Sequence, residues 1–300
     1  MLISSTIAQT IPTQFLFNNC FYLNAHAASI VSFVDKTNSP SIVLNCAETS
    51  EGNYVSGYHA PFGGIECTTT VDVSTFIQEV LHALSEKNAK SLTIKQAPAC
   101  YQSDVYQAIH EAFIQNGFVE QVRETNQYIV VNPVQVFATG IDAQKRRRLN
   151  NAKKMGMRVE LFDRIDSDVW YEVYVNARKD KGFPITISKE DYRSLSEIIP
   201  NVYTYAGVFL NERLIANAIF VRINKDTLYY FVAASDPAYA ELSPTVLLIE
   251  ALYDKAVQEK VTLIDLGISS VDGVLNAGLH QFKKHLGALD CSKKTYTFLF

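Results

Sequence analysis

The chain has 300 residues, 48% of them apolar and 19% charged, and a formal net charge of −4. That is enough to bury a full core in one large domain or two ordinary ones, and it excludes a disordered chain. The acidic balance argues against a dedicated nucleic-acid binder, although a local basic patch is compatible with it.

Phe15 to Phe33 is aromatic and apolar and reads as a short helix pair packed on a sheet. Ser41 to Cys46 and Tyr54 to Tyr58 are strands separated by a Thr49-Ser50-Glu51-Gly52-Asn53 turn. The loop His59 to Glu66 follows, stiff at Pro61 and permissive at Gly63 and Gly64. Phe76, Ile77, Val80, Leu81 and Leu84 share one face of a helix over 73–87. A strand at 91–95, a helix at 103–115 stopped by Asn116-Gly117, and a strand at 127–131 close the first half. A basic helix comes next, from Asp142 as N-cap to Met155, with Gly156 as its stop. Strand 158–162, helices 167–179 and 188–197, and a meander of strands at 202–209, 214–223 and 227–232 follow. A helix runs from Pro244 to Gln258, with Ser243 as cap. Leu263 to Gly267 is a buried strand opening into a loop, Gly278 to Gly287 a helix and its stop, and Thr295 to Phe300 a final strand.

Both halves run strand, loop, helix, strand, helix, strand. This predicts two similar α/β domains with mixed sheets, residues 1–135 and 136–300, the second including the basic connecting helix 142–155. The five cysteines are scattered and form no C-x-x-C, which fits reduced thiols in a cytoplasmic protein. The histidines form no H-E-x-x-H and no Cys/His pairing, so no metal is expected. No apolar run approaches the roughly 18 residues that span a bilayer. Met1 to Thr13 lacks a basic leader and reads as mature sequence.

An ordered set of short motifs spans most of residues 142–290. It comprises Arg147-Arg148-Leu149-x-x-Ala152-Lys153-Lys154-x-Gly156, Arg178, Ala216, Ala234-Ser235, Pro244-x-x-Leu247-Leu248-x-Glu250, Asp265-Leu266-Gly267 and Gly278-Leu279-x-x-Phe282-Lys283. In this order the chain resembles the GNAT acyltransferase superfamily, and in particular tandem-GNAT proteins of the FemAB type, the peptidoglycan-bridge aminoacyltransferases, and their BioF2-like relatives. The first half adds only Pro61-Phe62-Gly63-Gly64 and Phe113-x-x-x-Gly117-Phe118.

The resemblance implies two tandem GNAT-like domains and N-acyl transfer to an amine of a cell-envelope precursor or small metabolite. The donor would be acyl-CoA or aminoacyl-tRNA, with no tightly bound cofactor. A lysine near the end of such chains is thought to be the electrophile, and Lys283 matches its motif position; otherwise Lys283 is a solvated helix lysine. Asp265 would orient the amine or the following helix, or serve as a plain loop cap. The implied substrate contacts are Tyr58, His59, Phe62, Arg178, Tyr230 and Ser235. The implied donor-phosphate contacts are Arg147, Arg148 and Ser243, with tRNA as one candidate partner. One departure stands out. Acyl-CoA-using relatives carry a glycine-rich phosphate loop, whereas Asp236 to Ser243 has no glycine and two acids. A catalytically silent GNAT-fold binding or scaffold protein is therefore the rival reading.

Overall fold

The computed structural model describes residues 2–3, 12–27, 29–35, 40–67, 71–165, 167–199 and 201–300. The stretch to Thr13 thus lies largely outside the described residues. Strand β1 is Leu2–Ile3, a 3₁₀ turn covers Leu16–Asn18, helix α1 is Cys20–His26 and β2 is Ile30–Val34. The helix pair expected over Phe15 to Phe33 is one short helix and a strand. Ile30, Val31 and Val34 are stiff at χ1 and favour a pleated surface over a second helix. Then come β3 (Ile42–Ser50), β4 (Asn53–Ser56), β5 (Glu66–Cys67), α2 (Val73–Ser85), β6 (Ser91–Lys95), α3 (Ser103–Gln115) and β7 (Val119–Val130).

A single turn, α4 (Phe137–Gly140), precedes the basic helix α5 (Ala143–Lys154). The Asp142 carboxylate accepts the Gln144 N–H at 2.7 Å, and Gly156 leaves the helix at φ 81°. Both ends are therefore set as the capping rules predict. Next are β8 (Arg158–Phe162), α6 (Ser167–Asp180), α7 (Lys189–Ile198) and the meander β9 (Tyr203–Leu210), β10 (Arg213–Arg222) and β11 (Thr227–Ser235). The chain continues as α8 (Thr245–Gln258), β12 (Leu263–Ile268), the hairpin β13 (Ser270–Val271) and β14 (Val274–Leu275), α9 (Ala277–Lys284) and β15 (Leu289–Leu299).

Two compact units result. The first is Met1–Asn126 with Ile268–Asn276 and Asp290–Phe300; the second is Gln127–Gly267 with Ala277–Leu289. Residues 268–276 and 290–300, expected with the second half, fold with the first. In the first unit the strand order is β1-β2-β3-β4-β6-β15. Strands β4 and β6 are parallel, from Asn53↔Ser91 to Ser56↔Ile94, and α2 makes the crossover that such a pair requires. Strand β15 lies antiparallel on β6, with Thr295 opposite Lys95 and Leu299 opposite Ser91. Phe76, Val80 and Leu84 of α2 and Phe113 of α3 close the core over Leu92, Ile94 and Tyr296.

In the second unit the order is β12-β11-β10-β9-β8. Strands β11 and β12 are parallel, and α8 is their crossover. Val246, Leu248, Ile249 and Leu252 of α8 pack with Ala218, Phe220 and Ile264. Each unit thus holds one parallel pair joined through a helix and followed by another helix. That is the repeated order expected from the sequence.

One buried carboxyl in the first unit has a measurable consequence. Glu66 is 3% exposed and accepts the N–H groups of Gln14 and Phe15 and an amide N–H of Asn18. Burial outweighs those bonds and pushes its carboxyl up to about 7. A folded-state value above the unfolded one means that stability is full below about 4.5 and falls as pH rises through about 7. The loss expected between pH 5 and 8 is about 3 kcal/mol. A thermal-unfolding series across that range should show the decline, and Glu66→Gln should flatten it. A wild-type curve flat from pH 5 to 8 would contradict the assignment.

Candidate functional site

The second unit opens where its parallel pair ends. Strands β11 and β12 are paired at Thr227↔Leu263, Leu228↔Ile264 and Tyr229↔Asp265, where the parallel register stops. Just beyond, Val232 takes φ 45°, and the β10–β11 register slips between Asn217 and Ile219. A β-branched residue at positive φ is a strained position, and the slip is a bulge that bends β11. The two strands part there.

Three groups meet at this fork. Asp265 is 1% exposed, and its carboxylate accepts the Gly267 N–H at 2.7 Å. Gly267 turns the chain at φ 75°, against the Tyr229 ring. The Gly267 carbonyl accepts the Lys283 ammonium at 2.9 Å. Lys283 is 6% exposed, so it is not the solvated helix lysine that its neighbours Gln281 and Lys284 suggest. Burial pulls its amine down to about 8, while the Asp265 charge pulls the other way. The Tyr229 phenol is pushed up, by burial first and by Asp265 second. The fork thus holds a cationic donor that titrates near neutral pH beside a fixed carboxylate. Such a pair can stabilise negative charge on an oxygen or hold a proton for transfer.

A second cluster lies at the start of α8. Ser243, expected as the helix cap, sits in the left-handed region at φ 54° and does not cap with its side chain. Its hydroxyl instead accepts from the Arg148 guanidinium at 2.8 Å. The glycine-free loop is a 3₁₀ turn, Pro237–Leu242, whose Asp236 caps Ala238 and pairs with Arg213 at 2.9 Å. One of the two acids is therefore neutralised. Arg147, one position around α5, is exposed.

The other expected contacts are scattered. Tyr230 packs 6.2 Å from the Phe220 ring, and its buried hydroxyl finds no hydrogen-bond partner among the described residues. Ser235 ends β11 opposite Ala216. Arg178 donates to the Pro184 carbonyl at 2.8 Å and lies over the Phe183 ring, so it secures its own loop. Tyr58, His59 and Phe62 belong to the first unit. Phe62 is 1% exposed and edge-on to Phe15, Phe17 and Tyr101, which makes it a packing residue. His59 is exposed at φ 50°, with Tyr58 edge-on to its ring and the Tyr22 hydroxyl on its carbonyl. Sequence reasoning missed the Gly267 carbonyl and took Tyr230, rather than its strand neighbour Tyr229, for the site. The strand-end Gly267 was the available signal for the first, because a residue at φ 75° redirects its carbonyl.

Comparison with known proteins agrees with this architecture. The acetyltransferase (GNAT) domain profile matches residues 142–284. No curated protein matches the sequence. Among solved structures, FemX superposes with a TM-score of 0.70 at 12% identity, covering 100% of this chain and 97% of its own. A tandem GNAT protein from the clavulanic acid biosynthesis pathway does so at 0.60 and 11%, again over 100% and 97%. L-PGS from Bacillus licheniformis gives 0.57 at 12%, over 88% and 82%. At these identities the likeness is one of fold: a mixed α/β chain built like full-length tandem GNAT proteins. Among the described residues no helix is long and apolar enough to cross a membrane.

Proposed function

For a chain whose residues 142–284 match the acetyltransferase (GNAT) domain profile and whose fold is that of tandem GNAT structures, we propose N-acyl transfer, with an acyl or aminoacyl group passing from a phosphate-bearing donor to an amine. The acceptor class is a small or nucleotide-linked amine, either a cell-envelope precursor or a metabolite. The observation that carries this reading is the Lys283 ammonium held at the β11–β12 fork by the Gly267 carbonyl. An amine attacking a thioester or ester carbonyl places negative charge on the carbonyl oxygen. Lys283 is the donor proposed to meet that charge. Asp265 keeps the turn in place and orients the attacking amine. Neither residue forms a covalent bond with substrate in this scheme. The amine nitrogen attacks, the C–S or C–O bond breaks, and the amine proton leaves with the thiolate or alkoxide, or with solvent.

Arg148 and Ser243 are the proposed donor-phosphate contacts, at a helix N-terminus whose positive end favours an anion. Acyl-CoA and aminoacyl-tRNA both offer phosphates, and FemX and L-PGS supply no more than the fold for choosing between them. The deciding experiment incubates the purified chain with acyl-CoAs or charged tRNAs and a panel of amines, then reads products by mass. Transfer from one donor class selects it. Absence of transfer, together with absence of thermal stabilisation by either donor, would favour the silent scaffold. Arg148→Ala is expected to raise the donor KM about tenfold with a smaller change in kcat, since it removes a ground-state contact. An unchanged KM would remove Arg148 from the site.

A further inference from the structure

Strand β8 ends the sheet of the second unit. Strand β9 pairs with one of its edges, from Arg158↔Phe209 to Phe162↔Tyr205, and among the described residues nothing pairs with the other. The free edge carries no proline, and its register with β9 has no bulge, so neither usual device blunts it.

The two faces of β8 differ. Phe162 lies edge-on to Trp170 of α6 at 5.7 Å, and Arg158 lies over the Phe209 ring, so Arg158, Glu160 and Phe162 share the α6 face. Val159 and Leu161 point the other way. With Met157, Leu247 and Ala251 they floor an open groove between β8 and α8, in which Leu161 is 45% exposed. The rim of that groove holds Lys153 and Lys255 against Glu250 and Asp254.

An unpaired edge is a template for another strand, and the charges decide which one. The rim is balanced in sign, so it selects neither a polyanion nor a basic peptide. The strand itself reads Arg158-Val159-Glu160. Antiparallel pairing of two copies about Val159 sets Arg158 of each copy opposite Glu160 of the other, and Met157 opposite Leu161. Within one chain Arg158 already donates to Glu160 at 2.7 Å, and both side chains stay 41% exposed. Two copies therefore close a ring of four alternating charges on one face and cover Leu161 on the other. Pairing about Glu160 would instead set that carboxylate against its own copy.

We propose that β8 is an interface between two copies of this chain, in which the two strands pair antiparallel about Val159 and join two sheets into one. This surface is independent of the Lys283 fork and of the transferase reading.

Sedimentation equilibrium of the full chain should show a reversible dimer with a dissociation constant on the order of 10 µM, the weak end expected of a short strand pair. Arg158→Glu and Glu160→Arg should each weaken it about tenfold, because each sets like charges opposite at two symmetric positions. The double variant Arg158→Glu/Glu160→Arg should recover wild-type affinity, which a role confined to one chain would not produce. Leu161→Asp, at an exposed position, should leave a folded monomer. Val159→Cys puts two thiols face to face, so diamide should cross-link it into a dimer and leave wild type, with its own five cysteines, uncross-linked. That arm does not depend on the charge variants folding. A wild-type chain that stays monomeric well above the expected dissociation constant would overturn the interface and make Arg158 and Glu160 guards of a solitary edge. A dimer indifferent to the charge variants, or a double variant that fails to recover, would overturn the pairing about Val159.

Discussion

Lys283→Ala is expected to lower turnover by about 10²-fold or more, the usual effect of removing one donor to a developing oxyanion. The donor KM should change far less, because Arg148 and Ser243 remain. Lys284→Ala, at an exposed neighbouring position, should retain wild-type turnover. The burial of Lys283 adds a condition that an exposed helix lysine would not. Alanine leaves the Gly267 carbonyl without its 2.9 Å partner and opens space around it. Lys283→Met fills that space without a charge, so it separates the loss of a donor from the loss of packing. If Met restores stability but not rate, the ammonium is the working group. The acting form is the protonated one, and the amine titrates at about 8. The wild-type rate should therefore fall as pH rises through about 8, a limb absent from Lys283→Met. A rate that climbs through the same interval would make the neutral amine a base and reverse the assignment. Equal turnover in Lys283→Met and wild type would end it.

Gly64→Ala should be among the most destabilising single methyls in the first unit. Gly64 lies at φ 89°, where an added Cβ would stand 2.3 Å from the Gln96 side-chain oxygen and 2.9 Å from the Gln96 Cα. That side chain cannot step aside cheaply. Its oxygen accepts from the Ile65 N–H and its amide donates to the Ile65 carbonyl, both at 2.9 Å in the interior. Losing both bonds and straining the backbone costs about 4 kcal/mol. This is a large share of a typical stability of about 5–15 kcal/mol. The expected readout is a Tm lower by roughly 10 °C. Gly156→Ala is the matched control, with φ 81° and no atom within 4 Å of the added methyl. It isolates the backbone strain, and its cost should be about 1–2 kcal/mol. Equal losses in the two variants would mean that Gln96 yields without resistance.

The sequence carried most where local chemistry decides. The basic helix could be read with both ends, because Asp142 and Gly156 cap it by side chain and by φ alone. The strand-end Asp265-Leu266-Gly267 and Lys283 could be placed from motif order. What could not be read is burial that depends on a distant partner. Nothing near Lys283 announces that a carbonyl sixteen positions earlier will hold it. Lys145 looks like Arg146 and Arg147 until Phe282 covers one of the three. The glycine-free loop showed the absence of a phosphate cradle, but not that Arg148 reaches Ser243. Phe62 misled for a related reason. An aromatic on a Pro/Gly loop fits a rim and a core equally well, and only Phe15, Phe17 and Tyr101 around it decide.

The antiparallel partner of Ser91–Lys95 is Thr295–Leu299, about two hundred residues downstream. During synthesis, then, the half of the protein made first is completed by a segment made about two hundred residues later. At about 5–20 residues per second, β6 waits on the order of ten seconds or more for its neighbour. Through that interval one side of a strand carrying Leu92 and Ile94 stays unpaired. The first unit cannot follow the usual order in which a nascent chain folds from its N-terminus. A ribosome that stalls short of residue 290 would release a chain whose earlier half is the unfinished one.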